Sequence, residues 1–227
     1  MTENITIPII SLVLLLFSVN GYDRKASAGE ARSGRDPGGT ILAIGNSLTA
    51  GYGFAEREAY PARLQEKLHA AGYPYQVINA GISGETSAGA LHRINRLLSL
   101  KPDIVIFETG ANDGLQGIST ERVEQNINEV VRILKQQGIV VVLAGMRMFP
   151  SFDRQYNTAF VKIYPDVARK QEVILIPFFL QGVAGDSRLN QGDGIHPTAE
   201  GYRIITENLY PYVIQAIEEL KRRRAER

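Results

Sequence analysis

Cysteine is absent from the 227 residues. That removes disulfides, thiolate nucleophiles and thiolate metal sites together. It leaves the compartment open, because a thiol-free chain suits reducing and oxidising surroundings alike. Net charge is nearly absent too. At a formal +1 it builds no field that would draw nucleic acid or an anionic membrane. There are three histidines, and His196 has no second His or Cys at ligand spacing, which speaks against a metal centre. The basic run 221–224 is read as the end of a helix, where cations suit the negative pole of the dipole.

The N-terminus carries the densest apolar run, but a short one. Residues 5–19 are mostly apolar, and Leu12 to Phe17 are unbroken. About 15 residues fall short of the roughly 20 that a bilayer span needs, so no stable membrane span is expected. The run matches a signal-peptide apolar region, and Ala26-Ser27-Ala28 suits a small-residue cleavage site. A periplasmic or secreted bacterial protein is the expectation; an uncleaved N-terminal anchor or a buried N-terminal helix is the alternative. No cysteine follows the run, which excludes a lipid anchor on one. Residues 20–39 are rich in Gly, Ser, Ala, Arg and Asp and read as a linker. One domain, 40–227, remains, and with 44% apolar residues in the chain it can bury a sizeable core.

Within that domain short β-rich runs recur at 41–44, 77–80, 104–107, 140–144 and 173–176. Helical spacing separates them: Tyr60, Leu64, Leu68; then Leu91, Ile94, Leu98; then Val123, Ile127, Val130, Val131, Leu134. Two more helices are expected within 154–170 and 198–220, with interruptions at Pro165 and Pro211. Strand and helix alternating in this way implies a parallel sheet covered on both faces, a three-layer α/β/α sandwich on five strands. Ligands of such sheets sit beyond the carboxyl ends of the strands.

Chemistry-bearing residues follow the strands. After the first comes Gly45-Asn46-Ser47-Leu48-Thr49-Ala50-Gly51-Tyr52-Gly53, a serine on a glycine-containing turn that leads into a helix. Alone it reads equally as a nucleophile or a helix cap. It is neither a Gly-x-Ser-x-Gly elbow nor a phosphate loop. Near the other end, Gly192-Asp193-Gly194-Ile195-His196-Pro197 places a carboxylate three residues before an imidazole. A hydroxyl needs such an oriented base to become a nucleophile. His69 and His92 fall inside helices and read as surface or packing residues. Two further loops offer oxyanion donors, the backbone amide of Gly84 and the side-chain amide of Asn112. Ser83 competes as nucleophile, but a partly buried capping role is expected for it.

Together these segments resemble the SGNH, or GDSL, hydrolase family, in its multifunctional thioesterase/lysophospholipase/arylesterase branch. Ser83–Thr86, Gly110–Leu115, Tyr156–Phe160, Pro177–Phe179 and Asp193–Pro197 repeat that branch's blocks in order. The resemblance implies a flavodoxin-like sheet, a triad of Ser47, Asp193 and His196, and an oxyanion hole of Ser47 N–H, Gly84 N–H and the Asn112 amide. It implies no cofactor and no metal. One departure stands out: Asn46 occupies the place of the aspartate in the family's Gly-Asp-Ser-Leu.

The partner so implied is a small acyl ester or thioester, hydrolysed by a monomer through an acyl-Ser47 intermediate. Met146, Arg147, Met148, Phe149 and Pro150 after the fourth strand, with Phe178 and Phe179 after the fifth, read equally as pocket lining or as core. A carbohydrate O-acetylesterase or acyltransferase, or a binding domain without catalysis, is the alternative.

Overall fold

The computed structural model describes residues 38–149 and 151–226. The apolar run at 5–19, the candidate cleavage site and most of the linker lie outside them, as does Pro150. Five strands form one parallel sheet: β1 (Gly39–Gly45), β2 (Tyr75–Gly81), β3 (Ile104–Glu108), β4 (Val140–Ala144) and β5 (Ile174–Ile176). Their order is β2-β1-β3-β4-β5, the flavodoxin-like arrangement. Every residue of β3 and β4 is buried, which is why these strands read as continuous apolar runs rather than alternating ones.

Short helix α1 (Ser47–Ala50) follows β1, and α2 (Tyr60–Ala70) leads to β2. Next come α3 (Ser87–Leu98), α4 (Ala111–Leu115), α5 (Thr120–Gln136), α6 (Arg154–Gln171) and α7 (Ala199–Ala225). Helix α2 packs with α7, whereas α3, α5 and α6 pack in a row. The two groups cover opposite faces of the sheet. The apolar stripe Val123, Ile127, Val130, Val131 and Leu134 is fully buried, so the 3.6-residue period of α5 faces the core along its whole length. Among the described residues no helix is long and apolar enough to cross a membrane.

Two expectations about helices need correction. Helices α6 and α7 run through Pro165 and Pro211 without interruption. A helical proline leaves the carbonyl four residues earlier without its donor. Here Pro165, Pro211, Val161 and Glu207 are all exposed, so the freed carbonyls lie on faces where water can serve them. The basic end of α7 also does more than meet a dipole. Arg224 donates to Asp103 at 2.7 Å and to the carbonyl of Gly38 at 3.0 Å, while Asp103 accepts from Thr40 N–H at 2.8 Å. The last turn of the chain thereby holds the amino ends of β1 and β3 together.

Candidate active site

The carboxyl end of β1 runs straight into the serine turn. Asn46 is the cap of α1, its side-chain oxygen accepting from Leu48 N–H at 2.9 Å. Ser47 is therefore the first helical residue, where backbone N–H groups have no intrahelical acceptor. From the loop before α7, His196 brings Nε2 to 2.8 Å from Ser47 Oγ. Its Nδ1 lies 2.6 Å from one oxygen of Asp193. The other oxygen accepts from the N–H groups of Ile195 and His196 at 2.9 and 3.0 Å. These bonds, the imidazole contact foremost, hold the Asp193 carboxyl down at about 2 although its side chain is 37% exposed. A carboxylate at Nδ1 fixes the tautomer that leaves Nε2 free to accept a hydroxyl proton.

Gly84 and Asn112 arrive from the two strands that flank β1. Gly84 has φ +83° and lies exposed in the loop after β2, and its N–H makes no hydrogen bond among the described residues. Asn112 lies in α4 after β3, and its amide donates to the Glu85 carbonyl at 2.9 Å, leaving a second N–H for another acceptor. That bond joins the two loops across the end of β1.

Residues 43–204 match the model of the GDSL-like lipase/acylhydrolase family. The chain belongs to that family. Esterase TesA of Pseudomonas aeruginosa is 39% identical to it, over 76% of this chain and 86% of the relative. Thioesterase 1/protease 1/lysophospholipase L1 of Escherichia coli is 34% identical, over 88% of each chain. A crystal structure of TesA superposes with a TM-score of 0.76 at 38% identity, covering 78% of this chain and 99% of that one. The protein is accordingly a hydrolase of ester bonds on the three-layer fold expected.

Beside Ser47 lies an apolar cavity of about 290 Å³. Met146, Arg147, Met148 and Phe149 line it, together with Phe178 and Leu48. The guanidinium of Arg147 rests over the Phe178 ring, 4.7 Å from its centroid. Phe179 does not line it; its ring is buried in the core against Tyr60, at 5.3 Å between centroids. Ser83 is exposed and caps nothing, because Thr86 supplies the cap of α3. His69 and His92 are exposed on their helices, as expected.

Several contributors escaped sequence reasoning. Tyr52 packs at a tilt of 34° against the His196 ring, 4.4 Å between centroids, and Gln191 donates to the carbonyls of Tyr52 and Pro197 at 2.8 and 3.0 Å. Buried Asp113 accepts from Ser87 N–H at 2.8 Å and Ser87 Oγ–H at 2.5 Å, tying α4 to α3. Glu108, the last residue of β3, is wholly buried under the serine turn. It accepts from Asn46 N–H at 3.1 Å, Asn46 Nδ2–H at 2.7 Å and Thr49 Oγ–H at 3.0 Å. Gly45 makes room for it, since a Cβ there would overlap Thr49 Oγ1 and the carboxylate.

Burial pushes the Glu108 carboxyl up to about 7, against the opposing pull of its three donors. Between the unfolded value near 4.5 and about 7, the folded state binds the extra proton, so stability falls as pH rises through that window. The shift corresponds to about 3 kcal/mol. The unfolding free energy of wild type relative to Glu108→Gln should therefore drop by roughly that amount between pH 4.5 and 8. Urea denaturation at several pH values measures it, and a pH-independent difference would refute the shift.

Proposed function

We propose that this enzyme hydrolyses short- to medium-chain acyl esters and thioesters through an acyl-Ser47 intermediate. The observation that carries the proposal is the unbroken chain from Ser47 Oγ through His196 to Asp193, opening beside an apolar cavity. Ser47 Oγ attacks the acyl carbon while His196 Nε2 takes its proton, and the imidazolium gives that proton to the leaving alcohol or thiol. Water then attacks the acyl-enzyme with His196 as base, releasing the acid and restoring Ser47. Asp193 stabilises the imidazolium. The N–H groups of Ser47 and Gly84 and the Asn112 amide receive the developing oxyanion.

The names of its relatives, an esterase and a thioesterase/lysophospholipase, support both ester and thioester substrates. The cavity favours an alkyl acyl chain over the acetyl group of a sugar acetate, which would leave Met146, Met148 and Phe178 without a partner. All five residues of the reaction come from one chain, so a monomer suffices. The apolar run at 5–19 and Ala26-Ser27-Ala28 support export, with 40–227 as the working domain.

A fluorophosphonate probe should modify Ser47 in the folded wild type and nothing in Ser47→Ala, read by peptide mass spectrometry. Failure to label folded protein would sink the nucleophile assignment. Asn112→Ala should lower kcat by about 10²–10³ with a much smaller change in KM; an unchanged kcat would remove Asn112 from the oxyanion hole. Ala184 lines the cavity, so Ala184→Phe should cut kcat/KM for octanoyl but spare acetyl p-nitrophenyl esters. Each excluded methylene is worth about 0.8 kcal/mol, or about fourfold; equal losses across chain lengths would place the acyl chain elsewhere.

A further inference from the structure

Glu108 touches neither the cavity nor the imidazole, yet its carboxylate binds the residue on each side of the Ser47–Leu48 dipeptide. Two bonds go to Asn46 and one to Thr49. All three partners are buried, so no solvent competes for them. In that dry setting each bond is stronger than it would be at the surface, and an unpaired oxygen would be costly. Asn46 also faces the other way, capping α1 through Leu48 N–H. It therefore carries the grip of β3 on to the turn that presents Ser47.

We propose that Asn46 and Glu108 together position Ser47, and that the amide at residue 46 keeps this anchor intact on the alkaline side of the pH range. The inference rests on Ser47 being the nucleophile. An ionised Glu108 accepts from three groups, Asn46 N–H, Asn46 Nδ2–H and Thr49 Oγ–H, that are donors without gaining a proton. Raising the pH past the carboxyl's own titration leaves the network complete. With aspartate at 46, one oxygen would still cap Leu48, but the other would stand where Nδ2 now lies, 2.7 Å from Glu108 Oε1. Two carboxylate oxygens that close must share a proton. Once it leaves, two buried negative charges oppose each other beneath the serine.

Among the described residues no group facing Glu108 supplies a positive charge to relieve them. Tyr60 of α2, Tyr164 of α6 and Tyr202 of α7 face Glu108, and burial keeps all three phenols protonated above their usual range. Glu85, from the loop before α3, adds repulsion, although its own charge is paired with Arg93 at 2.5 Å. From α1 and its cap come the neutral partners Thr49 and Asn46. The amide of Asn46 is thus the group that makes a single buried carboxylate tolerable here.

The test is the rate at which a fluorophosphonate acylates Ser47, followed by intact mass from pH 5 to 10 in wild type, Asn46→Asp and Thr49→Val. Melting temperatures at each pH establish that the protein is folded. Wild type should rise to a plateau and hold it to pH 10. Asn46→Asp should gain an alkaline limb, losing about tenfold per pH unit once the shared proton is released. Thr49→Val removes one donor to the carboxylate, so the Glu108 titration should move up by about one pH unit. The ratio of the Thr49→Val rate to that of wild type, in which the His196 limb common to both cancels, should be lower between pH 6 and 8 than at pH 10. A merely structural role would lower the rate equally at every pH. An Asn46→Asp profile that parallels wild type from pH 6 to 10 overturns the proposal. Should Asn46→Asp not fold, a Thr49→Val to wild-type rate ratio that is the same from pH 6 to 10 overturns it instead. No labelling of wild-type Ser47 at any pH is a different failure, since it removes the nucleophile itself and the anchor's purpose with it.

Discussion

A parallel sheet with helices on both faces leaves its polar groups only its two ends, and at the carboxyl edge each strand stops before its helix begins. Apolar strands such as β3 and β4 are buried on both sides, so side chains that do chemistry cannot lie along them. The residues proposed for the reaction lie instead just beyond the carboxyl ends of β1, β2 and β3 and in the loop before α7. The order β2-β1-β3 then does the rest. It places the serine turn between the loops that carry Gly84 and Asn112, and α7 closes over the sheet from residue 199. Ser47 and His196 stand 149 residues apart in the chain and 2.8 Å apart in space because of that order.

This geometry explains which parts of the molecule could be read from the sequence. Strand runs and helical stripes follow periodicities that local sequence carries, and all five runs lie within a residue or two of the strands at each end. The Asp193–His196 pairing is equally local, a contact three residues apart within one loop. Glu108 was not legible for the opposite reason. A glutamate at the end of an apolar strand reads as the point where the chain meets water; its burial depends on Gly45, Asn46 and Thr49, about sixty residues earlier. Pro165 and Pro211 show the same limit. Local rules foresee a break, and whether it happens depends on which face of the finished helix the freed carbonyl occupies. Ser83 fails in the other direction, since only the position of Thr86 in the folded loop decides which residue caps α3.

The two carboxylates around the serine turn divide along environmental lines. Asp193 is open to solvent yet lies low, because an imidazole and two backbone N–H groups stabilise its charge. Glu108 has three donors as well and still lies high, because burial outweighs them. Equal hydrogen bonding with opposite outcomes shows that desolvation decides here. One group is thereby kept charged across the working range of an imidazole base. The other titrates near neutrality, where it couples the folding equilibrium to the state of the serine turn.

That coupling sets stability and function against each other at one residue. The protonated carboxyl suits the folded state better, since burying a charge is unfavourable even with partners. The ionised form makes the better anchor, because both oxygens then accept and none must donate. A neutral side chain at 108 would relieve the burial penalty and would forfeit one acceptor for the turn. Retaining glutamate is therefore what a site built for positioning would do, at about 3 kcal/mol of stability above neutral pH. Asn46 limits that cost to a single charge. With a second carboxylate at 46 the same anchor would depend on a trapped proton, whereas an amide supplies its hydrogen permanently.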